Sequence, residues 1–181
     1  MDIEGFIWLP EIVDKLEVKH RVTTYEVESV FENDPSIKML EKGHVAGENL
    51  YRALGQNDSG RYLAVFFILK TTGDALVISA RNMSAKRGNI MQKERIKKTI
   101  TRDPLPESFA SISEAAAFWD EHDSADYEDV MEEVNLKVNI KRRVFLVPVA
   151  EDVFGAVRKR AKSQGVSTET MLNLLLQAHA G

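Results

Sequence analysis

The feature that most constrains this chain is a one-sided acidic tract in its second half. Residues 103–135 include eleven Asp and Glu residues and no Lys or Arg, whereas the sequences on both flanks are basic. Like charges held close together repel one another, so such a tract is either solvated or neutralised by a basic partner. A solvated acidic linker is therefore one interpretation, and a segment that docks on a cationic surface is the other. The sequences on either side decide between them.

Composition limits the class of protein further. The chain has no cysteine, which excludes disulfides and thiolate metal sites. It has no apolar run near the roughly 18 residues that span a bilayer, and it does not begin with a signal-peptide pattern, so we expect a cytoplasmic protein. Because the formal net charge is −4, any binding of nucleic acid depends on a local basic patch.

The first segment, residues 1–91, predicts an α+β domain. Apolar residues at helical spacing follow Pro10, and a second helix is expected from Thr23 or Thr24, whose hydroxyl caps its free amides. Four strands are predicted after the helices, at residues 37–40, 49–54, 62–69 and 75–80. The run 63–69 is apolar on both faces and is predicted as the central strand. The expected fold is two helices packed on a four-stranded, mainly antiparallel sheet.

Polar side chains at the ends of these elements are the candidate catalytic residues. A histidine beside converging cations can deprotonate a ribose hydroxyl, while Arg and Lys stabilise the charge that builds on a phosphate during cleavage. Such a site needs no metal. Exposed Lys and Arg at strand ends are also typical of ordinary solvated surface, and a single His is often structural. The candidates are Lys19, His20, Glu48, Arg61 and Arg81, with Lys86 and Arg87 following in sequence.

Five sequence blocks of this segment form a recognisable combination: KHRV at 19–22, EVESVF at 26–31, ENLYRALG at 48–55, GRYLAVFF at 60–67 and ISAR at 78–81. Together they resemble the BrnT toxins. BrnT-like proteins are bacterial type II toxins with a RelE-like fold, and the resemblance implies a metal-independent endoribonuclease that acts on RNA without a cofactor. Residue by residue, it implies catalytic roles for Lys19, His20, Glu48, Arg61 and Arg81.

A basic linker at 92–104 and an acidic segment at 105–136 follow. A short helix is predicted at 111–119, with Ser113 as its cap and an apolar stripe that includes Phe118 and Trp119. The segment carries aromatic anchors but little core of its own, which is typical of a segment that orders on a partner. A small helical hairpin that packs locally is the alternative.

The last segment, residues 137–181, predicts a strand at 144–149 and helices at 151–164 and 167–179. Gly165 ends the first helix and Ser167 caps the second. About 40 residues in this order cannot bury a core alone, so we expect pairing with a second copy in a ribbon-helix-helix unit, whose two-stranded ribbon enters the DNA major groove. The residues expected to hold DNA phosphates are Lys141, Arg142, Arg143 and Ser167.

The second half of the chain has three distinctive features: Phe109, the aromatic and acidic cluster at 118–127, and the closing sequence at 165–174. With these features it resembles the CopG-like antitoxins that accompany BrnT toxins. It implies a protein that silences its toxin and, as a dimer, represses its own operon. The residues to which it assigns toxin neutralisation are Phe118, Trp119, Asp120, Glu121, Asp123, Asp126 and Tyr127.

Together these patterns predict a toxin and its antitoxin joined in one chain. The acidic segment, from the same or a neighbouring molecule, is expected to fold over the cationic end of the toxin sheet and exclude RNA. The alternative is a catalytically inactive toxin-like domain that serves as a dimerisation and co-repressor module for a DNA-binding tail. Residues 86–91 depart from the BrnT pattern and favour that alternative, whereas Lys19, His20 and Arg81 favour the nuclease. A structural partner that titrates another toxin or antitoxin is a third interpretation.

Overall fold

The structure is a computed structural model that describes residues 2–43, 45–83, 102–106 and 108–179. The chain divides into two compact units, Met1–Leu146 and Val147–Gly181. Lys86 and Arg87, the departing stretch 86–91 and most of the predicted basic linker at 92–104 lie outside the described residues.

A seven-stranded mixed sheet forms the centre of the first unit. The strands are β1 (Asp2–Trp8), β2 (Ser36–Glu41), β3 (Leu50–Gln56), β4 (Tyr62–Leu69), β5 (Asp74–Asn82), β6 (Glu132–Glu133) and β7 (Lys137–Phe145). They lie in the order β6-β2-β3-β4-β5-β1-β7. β1 runs parallel to β5 and to β7, and the other pairs are antiparallel. The α+β class is confirmed, and the four predicted strands correspond to β2–β5, whose pairs are antiparallel. The described sheet is larger than predicted because β1, β6 and β7 join it.

The helices of the first unit begin at recognisable caps. They are α1 (Pro10–Lys15), which continues into a π-helical turn (Leu16–His20), α2 (Thr24–Glu32), α3 (Ile112–Glu121) and a 3₁₀ segment (Ser124–Val130). Thr23 and Glu26 form a capping box at α2, which confirms the predicted start. The predicted cap of the acidic helix is wrong by two residues, because the hydroxyl of Ser111 rather than Ser113 accepts the amide of Glu114. No helix in the described part of the chain is long and apolar enough to cross a membrane.

Strand β1 was missed because its sequence does not alternate and contains a glycine. Gly5 normally weakens a strand. Here it permits a close approach, since an added Cβ would lie 2.5 Å from Oδ1 of Asp74 and 2.9 Å from the carbonyl oxygen of Arg142. The glycine therefore lets β1 fit between β5 and β7.

The core occupies both faces of the sheet. Along β4, Val65 and Phe67 pack with α1 and α2 on one face, while Phe66 faces the acidic helix α3 on the other. β4 is the fourth of seven strands, which confirms the predicted central strand. The sheet is thus a middle layer, with α1 and α2 on one side and the acidic segment on the other.

β7 differs most from its prediction. It spans Lys137–Phe145 instead of 144–149 and belongs to the first unit, where it pairs in parallel with β1. Val138 and Ile140 pack against the core beneath α1 and α2. The strand predicted to pair with a second copy therefore has a neighbour within its own chain.

The second unit consists of α4 (Glu151–Gln164) and α5 (Thr168–His179), and both predicted helices are confirmed. Gly165 ends α4 with a positive φ of 69°, as predicted for a helix stop. The hydroxyl of Ser167 accepts the amide of Thr170 at 3.0 Å and caps α5. Among the described residues of this unit, the buried core consists of Val157, Ala161 and Met171, while Val153, Phe154, Leu174 and Leu176 are exposed.

Candidate functional site

A bulge in β5 aims polar side chains at the acidic helix. Phe66 of β4 pairs with Ser79 whereas Phe67 pairs with Val77, so Ile78 is the additional residue on β5. Ser79 and Arg81 consequently lie on the same face of the sheet as Phe66, and this face is the one that α3 covers. Bulges commonly re-aim side chains beside functional sites.

The second wall of the site comes from α1 and its π-helical turn. β1 pairs with β5 only as far as Leu76, so within the described part of the chain the next part of the β5 edge has no strand neighbour on that side. Lys15 of α1 reaches this edge and donates to the carbonyl of Ile78 at 3.2 Å. The turn then carries Lys19 and His20 past the same edge. Single turns of π-helix are frequent at functional sites.

Asp120 of α3 lies among these groups, and its side chain is only 4% exposed. Lys19 donates to Oδ2 of Asp120 at 2.8 Å, and Nζ of Lys15 lies 3.4 Å from the same oxygen. Ser79 donates to Oδ1 at 2.6 Å. We call these residues, together with His20, the Asp120 site.

His20 is close to Asp120 but does not bond to it. Nε2 of His20 lies 3.3 Å from Oδ1 of Asp120, yet the geometry is not that of a hydrogen bond, and this buried nitrogen has no hydrogen-bond partner among the described residues. Burial lowers the pKa of His20, and Lys19 and Lys15 add to this effect, which outweighs the opposing attraction of Asp120. The imidazole is therefore mainly neutral near pH 7.

Asp120 itself is held in its charged form. Burial raises its pKa, but hydrogen bonds from Lys19 and Ser79 and the nearby positive charge of Lys15 outweigh burial, so the pKa falls below its ordinary value. Burial lowers the pKa of Lys15. The site is thus a water-poor cluster in which one carboxylate neutralises more than one cation.

Arg81 contacts the residues that follow α3. Its guanidinium donates to the carbonyl of His122 and lies 3.9 Å from the carboxylate of Asp123. It also lies 5.9 Å from the centroid of the Phe66 ring. The structure therefore brings three predicted catalytic residues, Lys19, His20 and Arg81, against the predicted neutralising segment.

A second ion-pair cluster, which we call the Glu128 site, lies farther along the sheet. Arg52 donates to Glu128 and, at 3.1 Å, to the carbonyl of Ser124, and its side chain is only 1% exposed. Lys38 donates to the other oxygen of Glu128 at 2.6 Å. Burial raises the pKa of Glu128, but Lys38 and Arg52 outweigh it and lower the pKa overall.

Aromatic rings connect the two sites. The indole of Trp119 stacks on Phe66 with centroids 4.9 Å apart and an angle of 15° between the planes. Tyr127 meets Trp119 edge-on at 5.5 Å, and its hydroxyl donates to the carbonyl of Asp103. Phe118 packs edge-on against both rings. The acidic segment is therefore anchored by buried rings as well as by charge.

Two predicted catalytic residues lie elsewhere. Glu48 pairs with Lys70 near the end of β4 that is opposite to the Arg81 end. Arg61 pairs with Glu26 and donates to the carbonyls of His20 and Arg21, so it braces the turn after His20. That turn holds Arg21 at a φ of 52°, which is uncommon for a non-glycine residue.

The other predicted neutralising residues make different contacts. Glu121 is exposed at the end of α3. Asp123 accepts the amide of Ala125 and caps the 3₁₀ segment, and Asp126 is half-buried within that segment. The charge of the tract therefore acts mainly through Asp120 and Glu128.

The predicted DNA-binding residues of β7 are engaged in ion pairs within the first unit. Lys141 pairs with Glu4, Arg142 with Asp74, and Arg143 with Glu28. Ser167 belongs to the second unit, where it caps α5. In this state the three basic side chains already hold carboxylates.

The sequence analysis did not predict five residues of the Asp120 and Glu128 sites: Lys15, Lys38, Arg52, Ser79 and Glu128. The signal that could have found one of them is the charge of Arg52 inside the apolar strand sequence LYRAL, because a buried charge is almost always paired. No group of three His, Cys, Asp or Glu side chains that could hold a metal ion occurs among the residues described by the structure.

Comparison with known families supports the antitoxin part of the prediction. Residues 103–179 match the family described as the CopG antitoxin of type II toxin-antitoxin systems. A comparison with curated proteins finds no match. The matched part of the chain is therefore similar to type II antitoxins and contains every acidic and aromatic residue that docks on the sheet face, whereas the resemblance of residues 1–91 to BrnT toxins stays a prediction.

Proposed function

We propose that this chain is a toxin and antitoxin in one polypeptide, in which residues 1–91 form a ribonuclease domain that the acidic segment within 105–136 silences. The observation that carries the proposal is the position of Asp120, which is almost fully buried against Lys19 and His20. The similarity of residues 103–179 to CopG antitoxins supports it independently.

The chemistry follows from the groups that the Asp120 site holds together. When the acidic segment leaves, neutral His20 acts as general base and accepts the proton of a ribose 2′-hydroxyl at Nε2, the nitrogen that has no hydrogen-bond partner among the described residues. The resulting oxygen attacks the adjacent phosphorus and forms a 2′,3′-cyclic phosphate, while the P–O5′ bond breaks and the 5′-oxygen leaves with a proton from water. Lys19 and Arg81 stabilise the negative charge that develops on the phosphate oxygens. Each of these groups is now turned toward Asp120 or the residues that follow α3. The carboxylate thus takes the place of a phosphate.

Silencing acts within one molecule in this proposal. The hydrogen bond from Lys19 to Asp120 joins residues 101 positions apart in a single chain. A tether of this kind raises the effective concentration of the inhibitor to the order of millimolar. The intact chain is therefore inactive without any partner.

The test is charge reversal in the full-length chain. Asp120→Arg repels the acidic segment from Lys19 and Lys15, so the purified variant should cleave RNA while the parent chain does not. Glu121→Arg is the matched control, because Glu121 is exposed on the same helix, and this variant should stay silent. His20→Ala added to Asp120→Arg should abolish cleavage. An Asp120→Arg chain that is open by tryptophan fluorescence and still leaves RNA intact would refute the nuclease proposal.

A second role, repression of its own operon, is favoured by the second unit. Its exposed apolar side chains, Val153, Phe154, Leu174 and Leu176, indicate that α4 and α5 pack on a second copy of the chain. We propose that a ribbon-helix-helix dimer binds operator DNA in a second state, in which β7 leaves β1. In that state Lys141, Arg142 and Arg143 exchange Glu4, Asp74 and Glu28 for DNA phosphates, and Ser167 at the start of α5 contacts a further phosphate. A gel-shift with the DNA upstream of the gene tests this, and unchanged binding by Arg142→Ala/Arg143→Ala would contradict it.

A further inference from the structure

Four strands contribute one residue each to a straight row across the covered face of the sheet. Lys38 of β2 pairs in register with Arg52 of β3, Arg52 pairs with Phe66 of β4, and Phe66 pairs with Ser79 of β5. With strands about 4.8 Å apart, the row is roughly 14 Å long. We call it the Lys38–Ser79 row, and Lys19 extends it beyond β5.

The acidic segment fills this row in a definite order. Glu128 lies at the Lys38 and Arg52 end. Trp119 stacks on Phe66 in the middle, and Asp120 lies at the Ser79 end. The sequence of occupants is therefore an anion, a flat ring and an anion, which is also the sequence of phosphate, base and phosphate along a single-stranded nucleic acid.

We propose that the Lys38–Ser79 row is the binding track for single-stranded RNA, with one base stacked on Phe66 and the flanking phosphates at the Glu128 site and the Asp120 site. The acidic segment silences the chain because it occupies all three positions at once. This inference rests on the proposed function and adds to it a second phosphate subsite, Arg52 with Lys38, and a base platform.

Arg52 is the strongest argument for a ligand. Its side chain is buried, and its Nε has no hydrogen-bond partner among the described residues. A buried guanidinium whose carboxylate partner is itself 40% exposed is a costly way to stabilise a fold, because apolar side chains of similar volume often serve as well. A guanidinium beside an ammonium is, however, a suitable receptor for the two free oxygens of a phosphodiester. The presence of a cation at Arg52 is explained if the acidic segment leaves this face of the sheet in the active state and a phosphate takes the place of Glu128.

Phe66 supplies the second argument. Single-strand binding proteins combine a cationic path for the backbone with aromatic side chains on which bases stack, and RNA-binding sheets present such rings on their open face. Phe66 lies between two cationic sites on the same face. The near-parallel indole of Trp119 demonstrates that a flat ring fits there.

The test uses the full-length chain with the acidic segment released by the substitutions Trp119→Ala, Asp120→Ala and Glu128→Ala. The probe is a fluorescent eight-nucleotide RNA with 2′-O-methyl riboses, which cannot be cleaved, and anisotropy gives its Kd over a range of salt concentrations. Lys38→Gln in this background should weaken binding and reduce the slope of log K against log salt by about 0.7, the value for one phosphate on a single strand. Lys137→Gln is the matched control, because Lys137 is exposed on β7 at the other edge of the sheet, and it should change neither quantity.

Phe66→Leu tests the base platform separately. It keeps an apolar side chain in the sheet and removes the ring, so binding should weaken about tenfold while the salt slope stays the same. A released chain that binds and cleaves RNA, but whose Kd and salt slope are unaffected by Lys38→Gln and Phe66→Leu, overturns the track and leaves the proposed function standing. A released chain that neither binds nor cleaves RNA overturns both.

Discussion

Replacing Asp120 with alanine in the intact chain should open the acidic segment without unfolding the sheet. The substitution removes the hydrogen bond from Ser79, a bond between buried groups with a charged acceptor that is worth about 1.5–3 kcal/mol. It also removes the pair with Lys19, whose side chain is 55% exposed, so this pair adds at most about 1 kcal/mol. The docked state should lose about 1.5–4 kcal/mol, which raises the opening equilibrium about 10- to 700-fold at 1.4 kcal/mol per factor of ten.

Native-state hydrogen exchange measures this equilibrium directly. The amides of α3, residues 112–121, should exchange faster by the same factor, whereas amides of β4 should keep their protection. Glu121→Ala is the control, because Glu121 is exposed on the same helix. If Asp120→Ala and Glu121→Ala give equal exchange rates in α3, then Asp120 does not hold the segment down and the silencing mechanism is wrong.

Three further outcomes follow from the contacts. Asp120 and Glu128 have pKa values below the ordinary 3.8 and 4.5, so each carboxylate stabilises the docked segment above its ordinary pKa and stops doing so as the pH falls through its folded-state pKa. Tryptophan fluorescence should therefore report release of the acidic segment in acid, and an acid-insensitive signal contradicts this. Glu128→Leu alone should lower the free energy of unfolding in urea more than Glu128→Leu combined with Arg52→Met, because the single change leaves a guanidinium that is 1% exposed without its carboxylate; equal losses would contradict this. Gly5→Ala should lower Tm, because the added Cβ would lie 2.9 Å from the carbonyl oxygen of Arg142, whereas Gly155→Ala has open space around it and should leave Tm unchanged or raise it through the helix propensity of alanine. Equal Tm values for the two variants would refute the close-approach argument.

The sequence predicted those elements whose signals are local. Thr23 and Glu26 mark the start of α2 through a capping box, and the apolar run of β4 indicates a strand buried on both faces. β1 has no such signal, because its two neighbours come from residues 74–76 and from 137 onward. A strand defined by distant partners, with Gly5 in its middle, is not visible in a local pattern.

The candidate site was predictable where charge is concentrated in the sequence. The one-sided acidic tract predicted Asp120, and the adjacent residues Lys19 and His20 predicted the groups that Asp120 contacts. The Glu128 site was not found, because Lys38 and Arg52 are single charges on two different strands and meet only through the register of β2 and β3. Glu48 is the opposite case: the family resemblance predicted it as a catalytic residue, but the structure places it beside Lys70, away from the Asp120 site.

The order of the segments along the chain has a consequence during translation. Asn82, the last residue of β5, is synthesised before α3 and before the 3₁₀ segment that ends at Val130, so the sheet face that carries the Lys38–Ser79 row precedes its cover along the chain. At elongation rates of about 5–20 residues per second, the ribosome needs roughly 2–10 s to add the intervening residues. Throughout that interval the nascent chain presents Arg52, Phe66 and Arg81 without their cover, within reach of the messenger and ribosomal RNA that surround it.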